Sequence, residues 1–224
     1  MNTLFLRLEG PLQAWGTRAH WGERDSALEP TKSGVIGLIA CAMGWGLGRD
    51  AEIGEMSREV RFGVRIDRPG RLLFDYHTVV GGVLSAEGII KITQTTKKRE
   101  TVVSHRAYLA DASFLAALQG PEQMITRAAT ALQAPVWPPF LGRRSCPPAV
   151  PFFAGIGDFI SLEAALQGQP LAVGAPNRRV RAVIERQSGK GIRRDDQIES
   201  LARRTYLPRY ASDVFLDITV GNEQ

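Results

Sequence analysis

The sequence predicts an α+β fold, and three observations support this prediction. Apolar and polar residues alternate in several short segments, which is the period-two pattern of strands. Other segments place apolar residues three and four positions apart, the spacing of helices that pack on a core. Turn residues separate these segments. A chain of 224 residues with 44% hydrophobic and 23% charged residues is long enough for one large or two small cores.

The first half of the chain is predicted to consist mostly of strands around one buried helix. Alternation in residues 4–9, with Leu4, Leu6 and Leu8 on one side, predicts a strand with one face in a core. Two hairpins are predicted further along, one with strands at 61–67 and 71–80 and the other with strands at 88–95 and 101–109. The helix precedes them, with Thr31 or Ser33 as its N-cap and core positions at Val35, Leu38, Ile39, Ala42 and Met43.

The second half is predicted to contain three helices and then strands. The first helix is capped by Asp111 and ends near Gly120, the second begins at Pro121, and the third spans residues 158–167 and is closed by Gly168. After a strand at 179–186 and a basic loop at 188–194 that is expected to be flexible until it binds, the last strand points four residues to one side: Val214, Leu216, Ile218 and Val220.

A loop framed by prolines is the strongest candidate for a functional site. Residues 140–146 lie between two Pro-Pro pairs, and proline restricts the backbone enough to hold such a segment as a loop. Gly142 permits close approach of a ligand, while Arg143, Arg144 and Ser145 supply two guanidinium groups and a hydroxyl. These groups together suit a sugar-phosphate backbone. The alternative is a surface connection whose arginines are merely solvated.

Most of the positive charge comes from arginine. The net charge is +5, and 23 of the 28 basic residues are arginines. Arginine suits bidentate contacts to phosphate, but a GC-rich genome produces the same bias. Basic residues cluster in two ranges, 88–109 and 178–209. The second range contains ten basic and four acidic residues. Clustering favours a polyanionic partner, and a solvated charged face is the alternative.

Three further segments carry candidate contacts to a nucleic acid. Gln13 and Trp15 could bind or stack on a base, unless Trp15 caps the core. Lys32 and Ser33 begin the predicted helix, where unpaired amides favour a phosphate, and ordinary capping is the alternative. The second hairpin either reaches into a partner's groove or only guards an edge strand. Its candidates are Lys97, Lys98 and Arg99 at the tip, and Arg106 and Tyr108 on one face of the returning strand.

The usual catalytic motifs are missing from the sequence. The glycines at 44–48 lack the dinucleotide spacing, no glycine precedes Lys32 at P-loop distance, and no serine lies in a nucleophile elbow. His77 and His105 could converge on one sheet and, with Tyr108 or Lys97, support metal-free cleavage of RNA. The alternative is that His105, which falls on the more apolar face of its strand, is a hydrogen-bonded core residue.

No membrane, metal or cofactor is predicted. No apolar run reaches the length of a membrane span, and the N-terminal residues lack the features of a signal peptide, so a cytoplasmic protein is expected. Cys41 and Cys146 are the only cysteines and are too far apart in sequence for a zinc site.

Five motifs occur in an order that resembles the CasD family, the RAMP-type subunit of the type I-E CRISPR Cascade complex. They are residues 8–16, 30–38, 75–78, 104–111 and 140–146. The resemblance runs from residue 3 to about residue 150, and five motifs in the correct order are far more specific than one.

The resemblance implies an RRM-like, ferredoxin-type palm with a protruding β-hairpin thumb and a small C-terminal β region. The palm would occupy residues 1–150 and include the thumb at about 83–109. Residues 151–224 would form a small basic region packed on the palm.

The resemblance also implies a non-catalytic, RNA-binding role in antiviral defence. The chain would hold the 5′ handle of the CRISPR RNA (crRNA), contact the large subunit and the terminal backbone subunit, and meet target DNA only through the complex. The alternative is a metal-independent endoribonuclease that processes repeat RNA. A related subtype's member cuts RNA with a tyrosine and a Lys-His pair, and no such dipeptide occurs here. With the hairpin tip included, the expected RNA-binding residues are Gln13, Trp15, Lys32, Ser33, Lys97, Lys98, Arg99, Arg106, Tyr108, Gly142, Arg143, Arg144 and Ser145.

Overall fold

The computed structural model describes residues 2–17, 22–81, 88–90, 101–186 and 190–219. Strands and helices are mixed along the chain, which confirms the predicted α+β class. In chain order the elements are β1 (Asn2–Glu9), β2 (Leu12–Gln13), β3 (Glu23–Arg24), α1 (Lys32–Ala42), α2 (Asp50–Glu59), β4 (Arg61–Arg68), β5 (Arg71–Val79), β6 (Val102–Ala110), β7 (Ser113–Gln119), α3 (Glu122–Gln133), β8 (Phe153–Asp158), α4 (Leu162–Gln167), β9 (Arg179–Arg186), β10 (Ile192–Ser200) and β11 (Thr205–Asp217).

A seven-stranded antiparallel sheet forms the centre of the molecule, with strand order β10-β11-β9-β4-β7-β1-β8. Leu4, Leu6 and Leu8 pack with residues of α1, α2 and α3 on one face. Phe5, which alternates with them, packs with α4 on the other face and is only 1% exposed. The prediction that β1 buries a single face is therefore wrong, because helices cover both sides of this strand.

The first predicted hairpin is correct in its strands and wrong in its pairing. β4 lies between β7 and β9 in the large sheet, whereas β5 pairs with β6 in a second, four-stranded sheet. Burial explains the separation, because β4 is almost completely buried and β5 is almost completely exposed. Gly70, at φ 70°, makes the turn between them, and a Cβ there would lie 2.6 Å from the carbonyl oxygen of Ala110.

The second predicted hairpin also has a different partner. β6 pairs along its whole length with β5, from Arg71 opposite Ala110 to Val79 opposite Val102. The opposite edge of β6 is used by β2 and by β3. Most of the predicted strand at 88–95, and the tip with Lys97, Lys98 and Arg99, lie outside the described residues.

The helix predicted after Asp111 is wrong, because residues 113–119 form β7. All seven residues of β7 are buried. A central strand that is covered on both faces has no polar alternation, so its sequence is a continuous apolar run that resembles a buried helix. Asp111 instead has a φ of 57° in the turn between β6 and β7.

The remaining predictions are mostly confirmed. α1 and α3 lie where they were predicted, Thr31 is the N-cap of α1, and Gly168 closes α4. The strand at 179–186 is β9, with Val180, Ala182 and Ile184 buried. Leu216 in β11 and Ile218, which follows the end of that strand, are buried, and Val214 is half-buried. Val220 lies outside the described residues.

Several further features differ from the predictions, and the short strands β2 and β3 are among them. α2 and β8 were not predicted, and β8 takes the residues before α4, which therefore begins at Leu162. The prediction of a basic loop at 188–194 is wrong in its second half, because Ile192, Arg193 and Arg194 begin β10. The final strand, β11, begins at Thr205, earlier than predicted.

The C-terminal strands β9, β10 and β11 continue the same sheet that contains β1, β4 and β7. The division into regions 1–150 and 151–224 stays a prediction. Among the described residues, none of the helices has the length and apolar character needed to span a bilayer.

Candidate nucleic-acid interface

The proline-framed loop is held rigidly against the start of the chain. The amide of Ala14 donates to the carbonyl of Leu141 at 3.0 Å, and the amide of Leu141 donates to the carbonyl of Cys146 at 2.8 Å. Leu141 and Cys146 are both fully buried. Gly142 has a φ of 84°, and a Cβ on it would lie 1.7 Å from the carbonyl oxygen of Ala14. Only glycine therefore fits where the loop touches Ala14.

Arg143 is fixed by neutral groups rather than by carboxylates. Its Nη1 donates to the carbonyl of Ala107 at 2.9 Å, and its Nη2 donates to the carbonyls of Arg24 and Asp25 at 3.1 and 3.0 Å. Its Cζ lies 4.8 Å from the ring centroid of Tyr108. Because carbonyls and a phenol ring orient the guanidinium without neutralising it, its positive charge is preserved.

Three other arginines belong to the segments next to Arg143: its chain neighbour Arg144, Arg24, whose carbonyl it contacts, and Arg106, which precedes Ala107. Arg24 on β3 is the register partner of Arg106 on β6, and the Nε of Arg106 donates to the Oγ of Ser104 at 3.2 Å. Arg144 is exposed and near Cys41, where it opposes the rise that burial causes in the pKa of that thiol. We call Arg24, Arg106, Arg143 and Arg144 the arginine cluster. Across the described ranges, no carboxylate forms an ion pair with any of the four.

Gln13 and Trp15 lie beneath this surface. Gln13 is fully buried and donates from Nε2 to the carbonyls of Leu8 and Ala112 at 3.0 and 2.9 Å. Trp15, only 1% exposed, donates from Nε1 to the Oε1 of Gln13 at 3.0 Å. The alternative prediction, that Trp15 caps the core, is therefore confirmed. The two buried side chains hold residues 13–15, and Gly142 packs against Ala14 in this segment.

The N-terminus of α1 is occupied by a carboxylate of the protein. The amide of Lys32 donates to the Oδ2 of Asp196 at 2.8 Å, and the Nζ of Lys32 contacts Glu185 at 3.0 Å. Burial lowers the pKa of Lys32, and the Glu185 carboxylate opposes that shift. Ser33 is half-buried and lines a cavity of about 600 Å³ beside Arg194. Lys32 is thus a buried ion-pair partner, and only Ser33 of the two faces a cavity.

Most arginines of the basic C-terminal stretch are neutralised by carboxylates. Arg181 and Arg194 both pair with Glu29, and Arg209 pairs with Asp196 at 2.6 Å. Arg186 pairs with Glu163 and Arg193 with Asp195. Ion pairs therefore reduce the positive charge that this stretch presents. In the described part of the chain Arg178, Arg179, Arg203 and Arg204 form no ion pair, so part of that charge stays available, as it does in the arginine cluster.

The two histidines of the ribonuclease alternative lie on adjacent strands but on opposite faces. His77 on β5 is the register partner of Ser104, and Tyr76 is the register partner of His105. Consecutive pairs in an antiparallel ladder point to opposite faces, so His77 and His105 cannot act on one phosphate between them. His105 is also exposed and packs edge-on against Tyr76 at 5.2 Å, so the core-histidine alternative is wrong.

Sequence reasoning missed Arg24. It occurs in a polar stretch with no periodic pattern, and β3 has only two residues, so nothing in the local sequence distinguishes it. Its place is set by pairing with β6 and by the hydrogen bond from Arg143 to its carbonyl.

Comparison with known proteins agrees with the motif order. The family model described as CRISPR-associated protein (Cas_Cas5) matches residues 3–211. The chain belongs to this Cas5 family. The "CRISPR system Cascade subunit CasD" of Escherichia coli (strain K12) is 37% identical to it over 163 residues, which cover 68% of this chain and 70% of that relative. The predicted resemblance to CasD is confirmed.

Two solved structures are similar to this Cas5 chain over almost its whole length. One, described as "Crystal structure of Cas protein", has a TM-score of 0.72 and 30% identity and covers 96% of this chain and 95% of its own. The other, from a "CRISPR RNA-guided surveillance complex", has a TM-score of 0.73 and 32% identity and covers 96% and 90%. The similarity therefore extends past residue 150 into the C-terminal strands, further than the motifs alone indicate.

Proposed function

We propose that this chain is a non-catalytic, RNA-binding subunit of a type I-E Cascade surveillance complex that holds the 5′ handle of the crRNA. The observation that carries the proposal is the geometry of Arg143. Its guanidinium is locked by three carbonyls and one ring, so it is pre-oriented and still charged. The names of the similar CasD protein and of the similar surveillance-complex structure support the same role.

In this proposal the exposed groups bind RNA and the buried ones position them. Arg24, Arg106, Arg143 and Arg144 contact phosphates and fix the register of the strand, with Ser145 as a hydroxyl partner. Gly142 keeps the backbone close to the RNA, and Tyr108 supports the Arg143 guanidinium from below. The buried residues do not touch RNA but fix the backbone of the binding surface; they are Gln13, Trp15 and Lys32. The other proposed RNA contacts are Ser33, Lys97, Lys98 and Arg99.

We assign the core of the large sheet to an RRM-like, ferredoxin-type palm. The order β1, α1 with α2, β4, β7, α3, β8 along the chain, with β4-β7-β1-β8 in space, supports this assignment. β5 and β6 leave this unit between β4 and β7 and form the base of the proposed thumb. The C-terminal strands would form the small region next to the palm.

The exposed side of β5 supports a contact with the terminal backbone subunit. Leu72, Phe74 and Tyr76 share one face and are 44%, 75% and 61% exposed. Large apolar groups in such a row are typical of protein interfaces. The large subunit would bind elsewhere on the same chain, and target DNA would be reached only through the assembled complex, in the cytoplasm.

A salt titration of handle binding tests the proposal. The double variant Arg143→Ala, Arg144→Ala should bind the handle RNA more weakly, and the slope of log affinity against log salt should fall by about 1.4, since each lost contact to single-stranded RNA contributes about 0.7. Arg144→Ala alone should lower the slope by about 0.7 without affecting folding, because this side chain is exposed.

The matched control is Arg58→Ala, Arg61→Ala. Both arginines are exposed. Arg61 pairs with Gln119, which is the partner of Thr3 in β1, whereas Glu9 lies at the other end of β1, roughly 20 Å away along the strand. An unchanged slope in the loop variants, or an equal loss in the control, would contradict handle binding at this site. In chelator the RNA should be recovered intact, and a discrete product would instead support the ribonuclease.

A further inference from the structure

A groove of about 300 Å³ lies on the helical side of the molecule, between the C-terminal end of α1, α2 and α3. Its floor consists of Met43, Trp45, Met56 and Met124. Methionine side chains are unbranched and polarizable, and they adapt to the shape of an incoming apolar group. The floor is therefore suited to side chains of a partner rather than to water.

Exposed apolar residues extend this groove towards the proline-framed loop. Leu47, Val136 and Trp137 are 65%, 64% and 45% exposed. The amide of Val136 donates to the carbonyl of Ala42 at 2.8 Å, and the ring of Trp137 lies beside Gly46, one residue after Trp45. A continuous apolar surface of this kind is uncommon on a monomer and usually marks an interaction site.

The rim of the groove carries three glutamates and one arginine, so it is acidic on balance. The arginine is Arg127, whose Cζ lies 5.6 Å from the ring centroid of Trp45. Glu52, Glu55 and Glu59 project from one side of α2, because spacings of three and four place residues on the same helix face. Glu52 pairs with Arg49 at 2.6 Å. In the described part of the chain no cation forms an ion pair with Glu55 or Glu59. This rim is opposite in sign to the +5 net charge of the chain.

We propose that this groove docks a basic amphipathic helix of another protein. Apolar residues at helical spacing would enter the methionine and tryptophan floor, and flanking lysines or arginines would face the glutamates. RNA is disfavoured, because the three glutamates outnumber Arg127 and repel phosphates. A second copy of this chain is also disfavoured, because a two-fold contact would bring together two rims that are each acidic on balance. The inference is independent of the handle-binding proposal.

A designed peptide tests the chemistry of the groove. The probe is a fluorescein-labelled helix of about 18 residues, with leucine on one face and lysine on the other, titrated with the full chain and followed by anisotropy. Glu55→Gln, Glu59→Gln should weaken binding about fivefold, since each rim pair is worth some tenths of a kcal/mol. The control Glu199→Gln, Asp217→Asn removes two exposed carboxylates outside the groove and should leave affinity unchanged.

The apolar floor is tested separately. Trp45→Gln should lower the affinity for the same peptide, while the thermal melting curve should still show a folded chain. A second peptide, with glutamate in place of lysine, should not bind. The proposal is overturned if the basic peptide does not bind, if the control variant loses as much affinity as the groove variant, or if the acidic peptide binds equally well. Because the chain has four tryptophans, the contribution of Trp45 to fluorescence quenching is taken as the difference between the parent chain and Trp45→Gln. The proposal is also overturned if handle RNA or self-association reduces that contribution and the basic peptide does not.

Discussion

At the scale of single residues, the geometry of the loop depends on Gly142. Two constraints meet there: a left-handed backbone with φ of 84°, and a carbonyl oxygen 1.7 Å from where a Cβ would lie. The first constraint penalises any L-residue, and the second penalises anything larger than a hydrogen atom. Gly142 therefore fixes the backbone just before Arg143, whose guanidinium reaches the carbonyls of Ala107 and Arg24.

Gly142→Ala should destabilise the protein by roughly 2–4 kcal/mol and weaken handle binding, because the loop must move away from Ala14. The control is Gly174→Ala. Its φ is 74°, but the nearest atom to a Cβ is a guanidinium nitrogen of Arg68 at 3.7 Å, so only backbone strain of about 1–2 kcal/mol is expected. Urea unfolding measures both. Equal losses in the two variants would show that the contact with Ala14 has no role.

The residues of the loop could be predicted from the sequence, but their partners could not. Prolines, a glycine and two arginines indicated a held, basic loop. That Arg143 would bond to the carbonyls of Ala107 and Arg24 depends on strands far away in the chain. Likewise, Trp15 and Lys32 look like ligand-binding residues in sequence, and only the three-dimensional contacts reveal the buried amide and carboxylates that satisfy them.

At the scale of elements, the start of α1 separates two alternatives that the sequence left open. Thr31 is the N-cap, and its Oγ1 accepts from the amide of Gly34 at 3.2 Å. The hydroxyl of Ser33 only reaches Thr31, at 3.4 Å. The hydroxyl of Thr31 therefore caps α1, and the hydroxyl of Ser33 does not.

Thr31→Ala should cost about 1 kcal/mol of stability, because one amide of the first turn loses its acceptor. Ser33→Ala should stay within about 0.5 kcal/mol of the parent protein. The denaturation midpoint in urea, measured at constant slope, gives both values. A larger loss for Ser33→Ala than for Thr31→Ala would contradict the capping assignment.

Strand bounds could be predicted more reliably than strand pairing. The sequence of β4 and β5, with a proline-glycine turn between them, is typical of a hairpin, yet the two strands join different sheets. Local sequence determines where the chain reverses, whereas the burial of β4 on both faces requires neighbours from elsewhere in the chain. Burial on both faces also explains why β7 was predicted as a helix. Complete burial removes the alternation of apolar and polar residues by which a strand is recognised.

At the scale of the whole molecule, the sheet makes the two ends of the chain interdependent. β9 pairs with β4, and β8 pairs with β1, so strands after residue 150 flank the β4-β7-β1 unit on both sides. α4 and β9 also supply most of the core that covers Phe5 and Leu115.

A fragment of residues 1–150 should therefore fail to unfold cooperatively and should aggregate, because it exposes two strand edges and an apolar face. Adding residues 151–224 as a separate chain should restore part of the cooperative transition. Differential scanning calorimetry of the fragment, the mixture and the full chain distinguishes these outcomes. A fragment that melts like the full chain would show that residues 1–150 fold without β8 and without the C-terminal strands.

The most direct test of the central proposal is site-specific photo-crosslinking at Ser145, which is exposed beside Arg144. A photoreactive amino acid is placed at this position in the assembled surveillance complex carrying crRNA, and the crosslinked nucleotide is identified by sequencing. The arginine cluster predicts a crosslink within the 5′ handle. A crosslink confined to the spacer, or to protein with none to RNA, would contradict it.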